Sequence, residues 1–579
     1  MPDPSQLQHD EVLSYDLTEQ PWLPVQRLDG SEDCLSLSEV FDQAGLVRRL
    51  VGDVPTQEFA LVRLLLAIAH DALDGPVDID EWTELWEERD RLPAAVGPYL
   101  AAHRHRFDLL HPDVPFFQVA GLRTERGEVF SLNRIVADVP NGEPFFTSRM
   151  PGVDRLGFGE AARWVVHAHA YDTSGIKTGT VGDPRVTKGK VYPLGVGWSG
   201  NLGGVLIEGS TLLETLLLNL IATHDSPVQA GKDDAPAWRR EPCGPGAAPA
   251  QELAARPAGV RDLYTWQTRR LRLCFDPDGV SGVVLGYGDP LTAHNMHTRE
   301  PMTGWRRSPA QEKKLRTSPV YLPREHVPAR SAWRGIASLI ADQVPEGSQG
   351  QEPAAGLRPG IVQWVARLAT EGALPRRFLI RTRVLGAVYG TQQSVIDEVV
   401  DDAVAMGVVL LHEQDRRYGQ TAIDAVRDAD AAARVLGDLA TDLARAAGQE
   451  SEAGKDQALD AGYATLDDLY RQWLLQLAAA EDPARQREEW QDLVHRHISR
   501  LGRELVRTAG RGAWEGRIVT TAKGSNWLNA SACDLWFRTR LNKALPQRAS
   551  RTDADGEMPQ IPPPRATATD EHQSTEVPA

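Results

Sequence analysis

The chain has 579 residues and a mass of 63.6 kDa, with 41% hydrophobic and 25% charged residues. This composition is typical of globular proteins and excludes a chain that is disordered throughout. The net charge of −17 is concentrated near the start, because the first 100 residues carry 6 basic and 21 acidic side chains. Such a balance argues against loose binding to nucleic acid, but residues 261–330, with 12 basic and 7 acidic side chains, leave room for a local basic groove.

Targeting signals and cysteine spacing predict a cytoplasmic protein. No run of about 18 apolar residues is present, so we expect no membrane-spanning helix. The first residues, MPDPSQLQHDE, lack the basic and apolar regions of a secretory signal. Four scattered cysteines without CxxC spacing fit a reduced compartment and predict no zinc site. These cysteines are Cys34, Cys243, Cys274 and Cys533.

The first two thirds of the chain alternate predicted strands and helices. Residues 15–37 contain short apolar runs separated by Asp-Gly, which predicts a hairpin. The apolar spacing of residues 56–73 and 159–170 predicts helices. Residues 173–204 combine many glycines with four basic residues, which predicts an exposed loop. Apolar and polar side chains alternate within residues 263–288, where we expect strands.

From Val362 onward the apolar pattern predicts helices almost throughout. The predicted amphipathic helices cover residues 394–412, 421–447, 463–480, 484–508 and 525–545. Four such helices joined by modest loops form an up-and-down bundle. The last residues are rich in Pro, Thr and Glu, which predicts disorder. The sequence therefore predicts an α+β fold with a large mixed α/β body over residues 1–400, a four-helix bundle over 401–546 and a disordered tail over 547–579.

Strong catalytic signatures are absent from the sequence. Gly195–Gly200 matches G-x-G-x-x-G, but it lacks both the preceding strand and the acidic residue about 20 positions later that dinucleotide binding needs. Neither a G-x-S-x-G nucleophile elbow nor a phosphate-binding P-loop is present. We therefore predict no catalytic residue, no metal and no cofactor, and we favour a recognition protein over an enzyme.

Two alternatives stay open at this point. His294 and His297 have a spacing that places both rings on one helical face, although the Glu of H-E-x-x-H is missing, so one alternative is an enzyme of unknown class with its active site in the N-terminal body. The other is a helical-bundle scaffold. Stoichiometric bound metal would favour the enzyme, and salt-sensitive DNA binding in an assembled complex would count against the scaffold.

Three segments point to nucleic acid. Gly175–Lys190 joins glycines, which let a backbone approach a groove closely, to cations that neutralise phosphates. Trp305–Arg316 has five basic residues and one acidic residue. Tyr389–Ser394, YGTQQS, is a short polar loop just before the predicted long helices, and its glutamines can contact base edges.

Taken in order, several segments resemble the CasA family, the large subunit of the type I-E CRISPR Cascade complex. They are YDLTEQPWLPV (residues 15–25), HPDVPFFQV (111–119), YDTSGIKTG (171–179), GWSGNLGG (197–204) and the apolar helix at 212–220. The resemblance covers about residues 13–545, and the order of the segments carries it rather than any single motif.

This resemblance implies a non-enzymatic subunit of a guide complex. Its partners would be the other Cascade subunits, the crRNA and double-stranded target DNA. The family inspects the protospacer-adjacent motif (PAM) mainly from the minor groove, whose degenerate code suits a reader that leaves sequence specificity to the guide. A glutamine wedge starts strand separation, the bundle helps guide the displaced strand, and the bound state recruits a helicase–nuclease. No membrane partner is implied.

Site residues follow from the resemblance by position. The DNA- and PAM-contacting residues of the glycine loop would be Gly175, Lys177, Thr178 and Gly179, and the wedge would be Gln393 with Gln392 and Thr391 beside it. The family's lysine finger falls where this chain has Ser281, which puts that contact in doubt. A loop at about residues 136–150 would contact the guide complex through Pro144, Phe145 and Phe146. Some relatives have a cysteine-rich zinc site after the finger; GYGD at 286–289 has no cysteine, so no zinc is expected.

Overall fold

The computed structural model describes residues 13–137, 152–224, 226–342, 354–449, 453–521 and 524–547. Helices and strands alternate irregularly up to about residue 412, and long helices dominate thereafter. The predicted fold class, a mixed α/β body followed by a helical region, is confirmed. Among the described residues, no helix is both long and apolar enough to cross a membrane.

The helices of the body are α1 (Leu37–Asp42), α2 (Pro55–Leu73), α3 (Ile79–Glu87), α4 (Arg91–His103), α5 (Phe158–Tyr171), α6 (Leu212–Asn219), α7 (Ala250–Ala255), α8 (Val260–Tyr264), α9 (Pro309–Leu315), α10 (Ile336–Ile340) and α11 (Gly360–Thr370). The C-terminal helices are α12 (Arg417–Ala447), α13 (Ala453–Ala479), α14 (Pro483–Thr508), α15 (Arg511–Glu515) and α16 (Ala530–Ala544).

The strands form small antiparallel sheets. They are β1 (Leu23–Arg27), β2 (Glu32–Leu35), β3 (Val47–Leu50), β4 (Lys177–Thr178), β5 (Lys190–Val191), β6 (Gly204–Glu208), β7 (Arg269–Asp276), β8 (Gly279–Tyr287), β9 (Trp305–Arg307), β10 (Tyr321–Pro323), β11 (Gly356–Leu357), β12 (Leu379–Tyr389), β13 (Ile396–Gly407), β14 (Arg517–Thr521) and β15 (Gly524–Leu528). The N-terminal hairpin β1–β2 and the hairpin β7–β8 confirm two sequence predictions.

Helix α2 lies at the centre of the body. Its residues 56–71 are all buried, since the helix packs against α4, α5, α6, α8 and β12. Arg63, the most deeply buried of the three charged residues among them, forms a two-pronged ion pair with Glu300, at 2.8 and 2.9 Å. Trp198 donates its indole N–H to the same carboxylate at 2.8 Å. The buried pair thus joins the central helix to the segment around Glu300 and, through Trp198, to the end of the glycine-rich segment.

The prediction of a helix over residues 394–412 is wrong, because this segment is strand β13 and pairs along its length with β12 in a sheet of order β13-β12-β6. Its buried residues Ile396, Val400 and Val404 are four positions apart. Residues four positions apart lie on one face of a helix. They also lie on one face of a strand, because side chains alternate along a strand and four is an even number. The β-branched side chains favour the strand.

A domain boundary after residue 400 is also wrong, because it falls inside β13, and the long helices begin only at Arg417. Helices α12, α13, α14 and α16 pack together as a four-helix bundle. Its core shares buried residues with the body, and Arg471 of α13 pairs with Asp402 of β13 at 3.1 Å. The bundle is therefore packed onto the outer strand of the β12–β13 pair. Residues 548–579 of the predicted tail lie outside the described residues.

The Arg63–Glu300 pair gives a stability prediction. Replacing Glu300 by Ala leaves a guanidinium buried without a counter-charge, so we expect the free energy of unfolding to fall by about 3–5 kcal/mol. Urea denaturation followed by tryptophan fluorescence measures the change. The exposed pair of Arg27 and Asp33 is the control, and Asp33→Ala should leave the denaturation midpoint unchanged. Equal effects of the two variants would show that the buried pair has no special role.

Candidate nucleic-acid interface

The glycine loop, Gly175–Gly179, leaves the C-terminal end of α5 and enters a two-stranded ribbon. Strands β4 and β5 pair Lys177 with Val191 and Thr178 with Lys190. Because side chains alternate along a strand, Lys177 and Val191 face the protein, and both are buried. Thr178 and Lys190 face the other way, and Lys190 is exposed, as is Lys188 in the turn. The outer face of the ribbon is thus open and carries cations.

A buried carboxylate, Asp172, fixes the start of the ribbon. It caps the end of α5, and its Oδ2 lies 2.6 Å from the Lys177 ammonium and also contacts the Arg269 guanidinium. Burial raises the pKa of Asp172, but the charges of Lys177 and Arg269 outweigh that effect and hold the pKa below its usual value. Lys177 was predicted to contact DNA; instead its ammonium is buried, because it balances this carboxylate. It supports the loop from behind.

The ring of Tyr287 completes this arrangement. The Lys177 ammonium lies 5.3 Å and the Arg269 guanidinium 4.9 Å from its centroid, within range for cation–π attraction. The Tyr287 hydroxyl donates to the Gly175 carbonyl at 2.6 Å and accepts from the Gly175 N–H at 3.0 Å. Both backbone groups of Gly175 are therefore satisfied by one side chain, which holds the tip of the loop.

The two glycines at the ends of the loop have different surroundings. A Cβ on Gly175 would meet no atom within 4 Å. On Gly179 it would lie 2.6 Å from a methyl group of Val186, a distance that forces a rearrangement. Gly179 is therefore required for the packing of the ribbon, whereas the space beside Gly175 is free for an approaching molecule.

The glutamine loop, Gly390–Val395, connects β12 to β13. It was expected just before long helices, but it is the tip of a β-hairpin, because the segment after it is a strand. Gln392 and Gln393 both have positive φ values, 57° and 56°, as in the two-residue turns that suit twisted hairpins. Asn and Gly adopt this conformation far more readily than Gln. Two consecutive glutamines here indicate a strained tip, a feature that clusters at functional sites.

The structure brings the two predicted loops together. The Ser174 N–H, next to the glycine loop, donates to the Gln393 carbonyl at 2.8 Å. Behind this contact, the half-buried Tyr389 at the end of β12 donates its hydroxyl to the Tyr171 carbonyl at 2.7 Å. The glycine loop and the tip of the hairpin thus form one surface, with Thr391 and Gln392 exposed on it.

Ser281 does not belong to that surface. It is exposed on β8, where its hydroxyl contacts the Cys274 carbonyl at 3.4 Å near the turn of the β7–β8 hairpin. Tyr287, which holds the glycine loop, is six residues further along the same strand, roughly 20 Å away. The other predicted contact, Pro144, Phe145 and Phe146, lies outside the described residues.

A basic stripe on α14 was missed in the sequence. Its four arginines are exposed, and none forms an ion pair within the described ranges of the chain. They are Arg496, Arg500, Arg503 and Arg507. Steps of four, three and four residues place them on one helical face, over about 16 Å. This periodicity was the signal that could have revealed the stripe.

Of the two histidines considered for an enzyme, His294 and His297, the second packs against aromatic rings. The His297 ring lies 5.1 Å from the ring of Tyr321 and 6.0 Å from that of Trp305, in edge-to-face contacts. Burial lowers the pKa of His297, which favours a neutral ring. In the part of the chain that the structure describes, no three His, Cys, Asp or Glu side chains are grouped so as to hold a metal ion.

The ion pairs of Asp172 give a testable prediction about how the glycine loop is held in place. Asp172→Asn keeps the size of the side chain but leaves two buried cations without their counter-charge, so we expect the ribbon to open more often. Trypsin cleavage after Lys177, followed by mass spectrometry, should accelerate at least tenfold. Asp276→Asn, at the far end of the β7–β8 hairpin, breaks an exposed pair with Arg155 and should not change this rate. Unchanged cleavage in Asp172→Asn would contradict the assignment.

Comparison with known proteins identifies the family. A model for CRISPR-associated protein Cse1 matches residues 16–501. The crystal structure of Thermobifida fusca Cse1 is 59% identical, with a TM-score of 0.86 over 93% of this chain and 99% of that chain. CRISPR-associated protein CasA/Cse1 of Thermus thermophilus is 28% identical over 388 residues, 66% of this chain and 69% of that protein. A chain of a solved CRISPR RNA-guided surveillance complex shares the fold, at 18% identity and a TM-score of 0.55 over 85% of this chain and 98% of that chain. The chain described here belongs to the CRISPR-associated Cse1 (CasA) family.

Proposed function

We propose that this chain is the large subunit of a crRNA-guided type I-E Cascade surveillance complex, in which it recognises the PAM of double-stranded target DNA and starts unwinding with Gln393. The observation that carries the proposal is the 2.8 Å hydrogen bond between Ser174 and Gln393, which joins the glycine loop to the hairpin tip. Family membership and the shared fold with a chain of a CRISPR RNA-guided surveillance complex support it.

The hairpin tip suits a wedge. Inserting a side chain between base steps costs a few kcal/mol of stacking, so the inserted group has to be carried by an element that does not yield. Strands β12 and β13 pair over their whole length, and Tyr389 anchors the end of β12 to α5. The amide side chains of the exposed Gln392 and the half-buried Gln393 can then form hydrogen bonds with the base edges that they uncover.

The ribbon suits the recognition of a duplex. Free space beside Gly175 lets the backbone approach the floor of a narrow groove, and Lys188 and Lys190 are exposed to neutralise phosphates. Few base-specific hydrogen bonds are available in the minor groove, so such a reader tolerates several PAM sequences. Base pairing with the guide supplies the rest of the specificity.

The remaining roles involve partners. The α14 arginine stripe supports a role of the bundle in holding the displaced strand, because exposed guanidiniums bind phosphates well. Tethering in the complex supplies affinity that an acidic chain lacks by itself, and Pro144, Phe145 and Phe146 would contact the complex. We further propose that the DNA-bound state recruits the helicase–nuclease, so that this subunit binds and positions DNA without catalysing a reaction.

The wedge assignment predicts a specific kinetic defect. Gln393→Ala should slow strand opening on PAM-bearing DNA about tenfold or more, which corresponds to about 1.4 kcal/mol, while initial duplex binding changes little. Fluorescence of 2-aminopurine next to the PAM reports opening in the reconstituted complex. Gln393→Asn, which keeps an amide and tolerates positive φ, should retain part of the activity.

Gln420→Ala on α12 is the control for this experiment, since it removes an exposed glutamine far along the chain from the hairpin tip. It should behave like the unaltered chain. If Gln393→Ala opens DNA at the normal rate, Gln393 is not the wedge.

The two loop glycines predict separable effects. Gly175→Asp places bulk and negative charge where the structure has free space, so PAM-dependent binding should be lost while the chain folds and assembles. Gly179→Ala should instead destabilise the ribbon, and Val186→Ala in the same chain should restore it by removing the clashing methyl groups. Duplex-binding assays with the assembled complex, together with trypsin cleavage after Lys177, separate these effects. Normal PAM-dependent binding of Gly175→Asp would show that this loop does not approach the DNA.

A further inference from the structure

A small cleft lies beside the β12–β13 hairpin, away from both predicted loops. Its volume is about 120 Å³, and Arg324, His326 and Arg330 line it together with Val384 of β12 and Val400 of β13. The His326 ring is hydrogen-bonded to the Gly204 carbonyl at 2.9 Å, which fixes the wall of the cleft against β6.

A third arginine, Arg306, lies on the same side. In the β9–β10 pair, Arg306 is opposite Leu322, and the Arg324 N–H donates to the Gly304 carbonyl at 2.8 Å. Residues 304 and 306, and residues 322 and 324, therefore face the same side of the ribbon. Arg306 and Arg324 are diagonal neighbours, a relation that puts long side chains within reach of one another.

These three arginines have no paired counter-charge in the part of the chain that the structure describes. None of them forms an ion pair with a carboxylate among the described residues, although Glu325 also lines the cleft. The Arg330 guanidinium donates to the Arg334 carbonyl, and Arg324 is only partly exposed. Burial, and then the charges of Arg330 and Arg306, lower the pKa of Arg324. A cluster of like charges at a partly buried position is costly and is relieved by a bound anion.

We propose that Arg306, Arg324 and Arg330 form a phosphate-binding site that holds the backbone of a nucleic-acid strand running along the β12–β13 hairpin from Gln393. The planar guanidinium fork matches phosphate oxygens, and a volume of 120 Å³ admits a phosphate group but is well below that of pockets for whole small molecules. The proposal rests on the proposed function for the identity of the strand.

The position of the cleft sets its distance from the wedge. A Cβ on Gly386 of β12 would lie 3.6 Å from the His326 ring, and Gly390 at the hairpin tip is four residues further. Four residues of strand span about 13 Å, which equals about four base-pair steps of a duplex at 3.4 Å each. The site should therefore hold a phosphate about four steps from the point of strand separation.

Methylphosphonate scanning of the target DNA tests this directly. The complex is reconstituted with the full chain, and single phosphates near the PAM are replaced by neutral methylphosphonates on each strand. With the unaltered chain, one replacement about four steps from the wedge should lower the slope of log K against log salt concentration by about 0.9. Arg324→Gln should cause the same reduction on unmodified DNA, equally with and without a PAM, and should abolish the effect of that replacement.

Matched variants separate the site from general charge effects. Arg427→Gln removes an exposed arginine of α12 that pairs with Asp424, and it should leave the scan unchanged. Arg324→Lys keeps the charge and should keep the slope. If Arg324→Gln does not fold, Arg330→Gln replaces it, because Arg330 lines the same cleft and is exposed, and it should cause the same reduction in slope. The proposal is wrong if Arg324→Gln leaves the salt slope unchanged. It is also wrong if the reduction in slope caused by Arg324→Gln adds to the reduction caused by every methylphosphonate, because no single phosphate would then depend on Arg324.

A measurement with inorganic phosphate tests whether the arginine site binds free phosphate rather than a phosphate of the DNA. If phosphate raises the melting temperature of the unaltered chain but not of Arg324→Gln, while the DNA slopes of the two are equal, the site takes free phosphate and the assignment to a nucleic-acid strand is overturned. If the complex with the unaltered chain shows no PAM preference, the proposed function is contradicted instead. The methylphosphonate scan would still show whether the three arginines bind a phosphate of the DNA.

Discussion

The buried carboxylate of Asp172 is the constraint on which the candidate nucleic-acid interface depends. It lies at the end of α5 and forms ion pairs with two cations. Lys177 belongs to the β4–β5 ribbon, and Arg269 belongs to β7. Both cations lie over Tyr287, whose hydroxyl holds Gly175. One carboxylate therefore couples a helix, a ribbon and a hairpin. Without it, the two cations would be buried unpaired, and the ribbon would lose the contact that fixes its position.

Rigidity behind an open surface would let this region combine the proposed recognition of a duplex with the proposed strand opening. Buried polar contacts hold the backbone on the protein side, whereas free space beside Gly175 and exposed side chains at Thr391 and Gln392 face outward. The strained backbone of the hairpin tip is maintained by the long β12–β13 pair. Because the Ser174 N–H is hydrogen-bonded to the Gln393 carbonyl, a displacement of one loop would be transmitted to the other.

Much of the architecture was predictable from local patterns, and the errors have physical reasons. Helix α2 has enough apolar residues in helical spacing to leave no ambiguity. The sequence predicts a helix where β13 lies, because the buried residues of this segment are four apart, a spacing that fits both structures. The order of motifs correctly indicates the family, and the structure places the glycine loop and the glutamine loop side by side. The inward orientation of Lys177 was not predictable, because Arg269 and Tyr287 are about a hundred residues away in sequence. For the same reason, the sequence cannot distinguish Gly179, which contacts Val186, from Gly175, which has open space.

The most direct test of the account is to reconstitute the guide complex with and without this chain and to measure its affinity for duplexes that carry different candidate PAMs. If the account is right, binding depends on the PAM only when the chain is present, and the dependence persists as salt is raised, whereas non-specific phosphate contacts weaken. Equal, PAM-dependent binding by the complex that lacks the chain would contradict it.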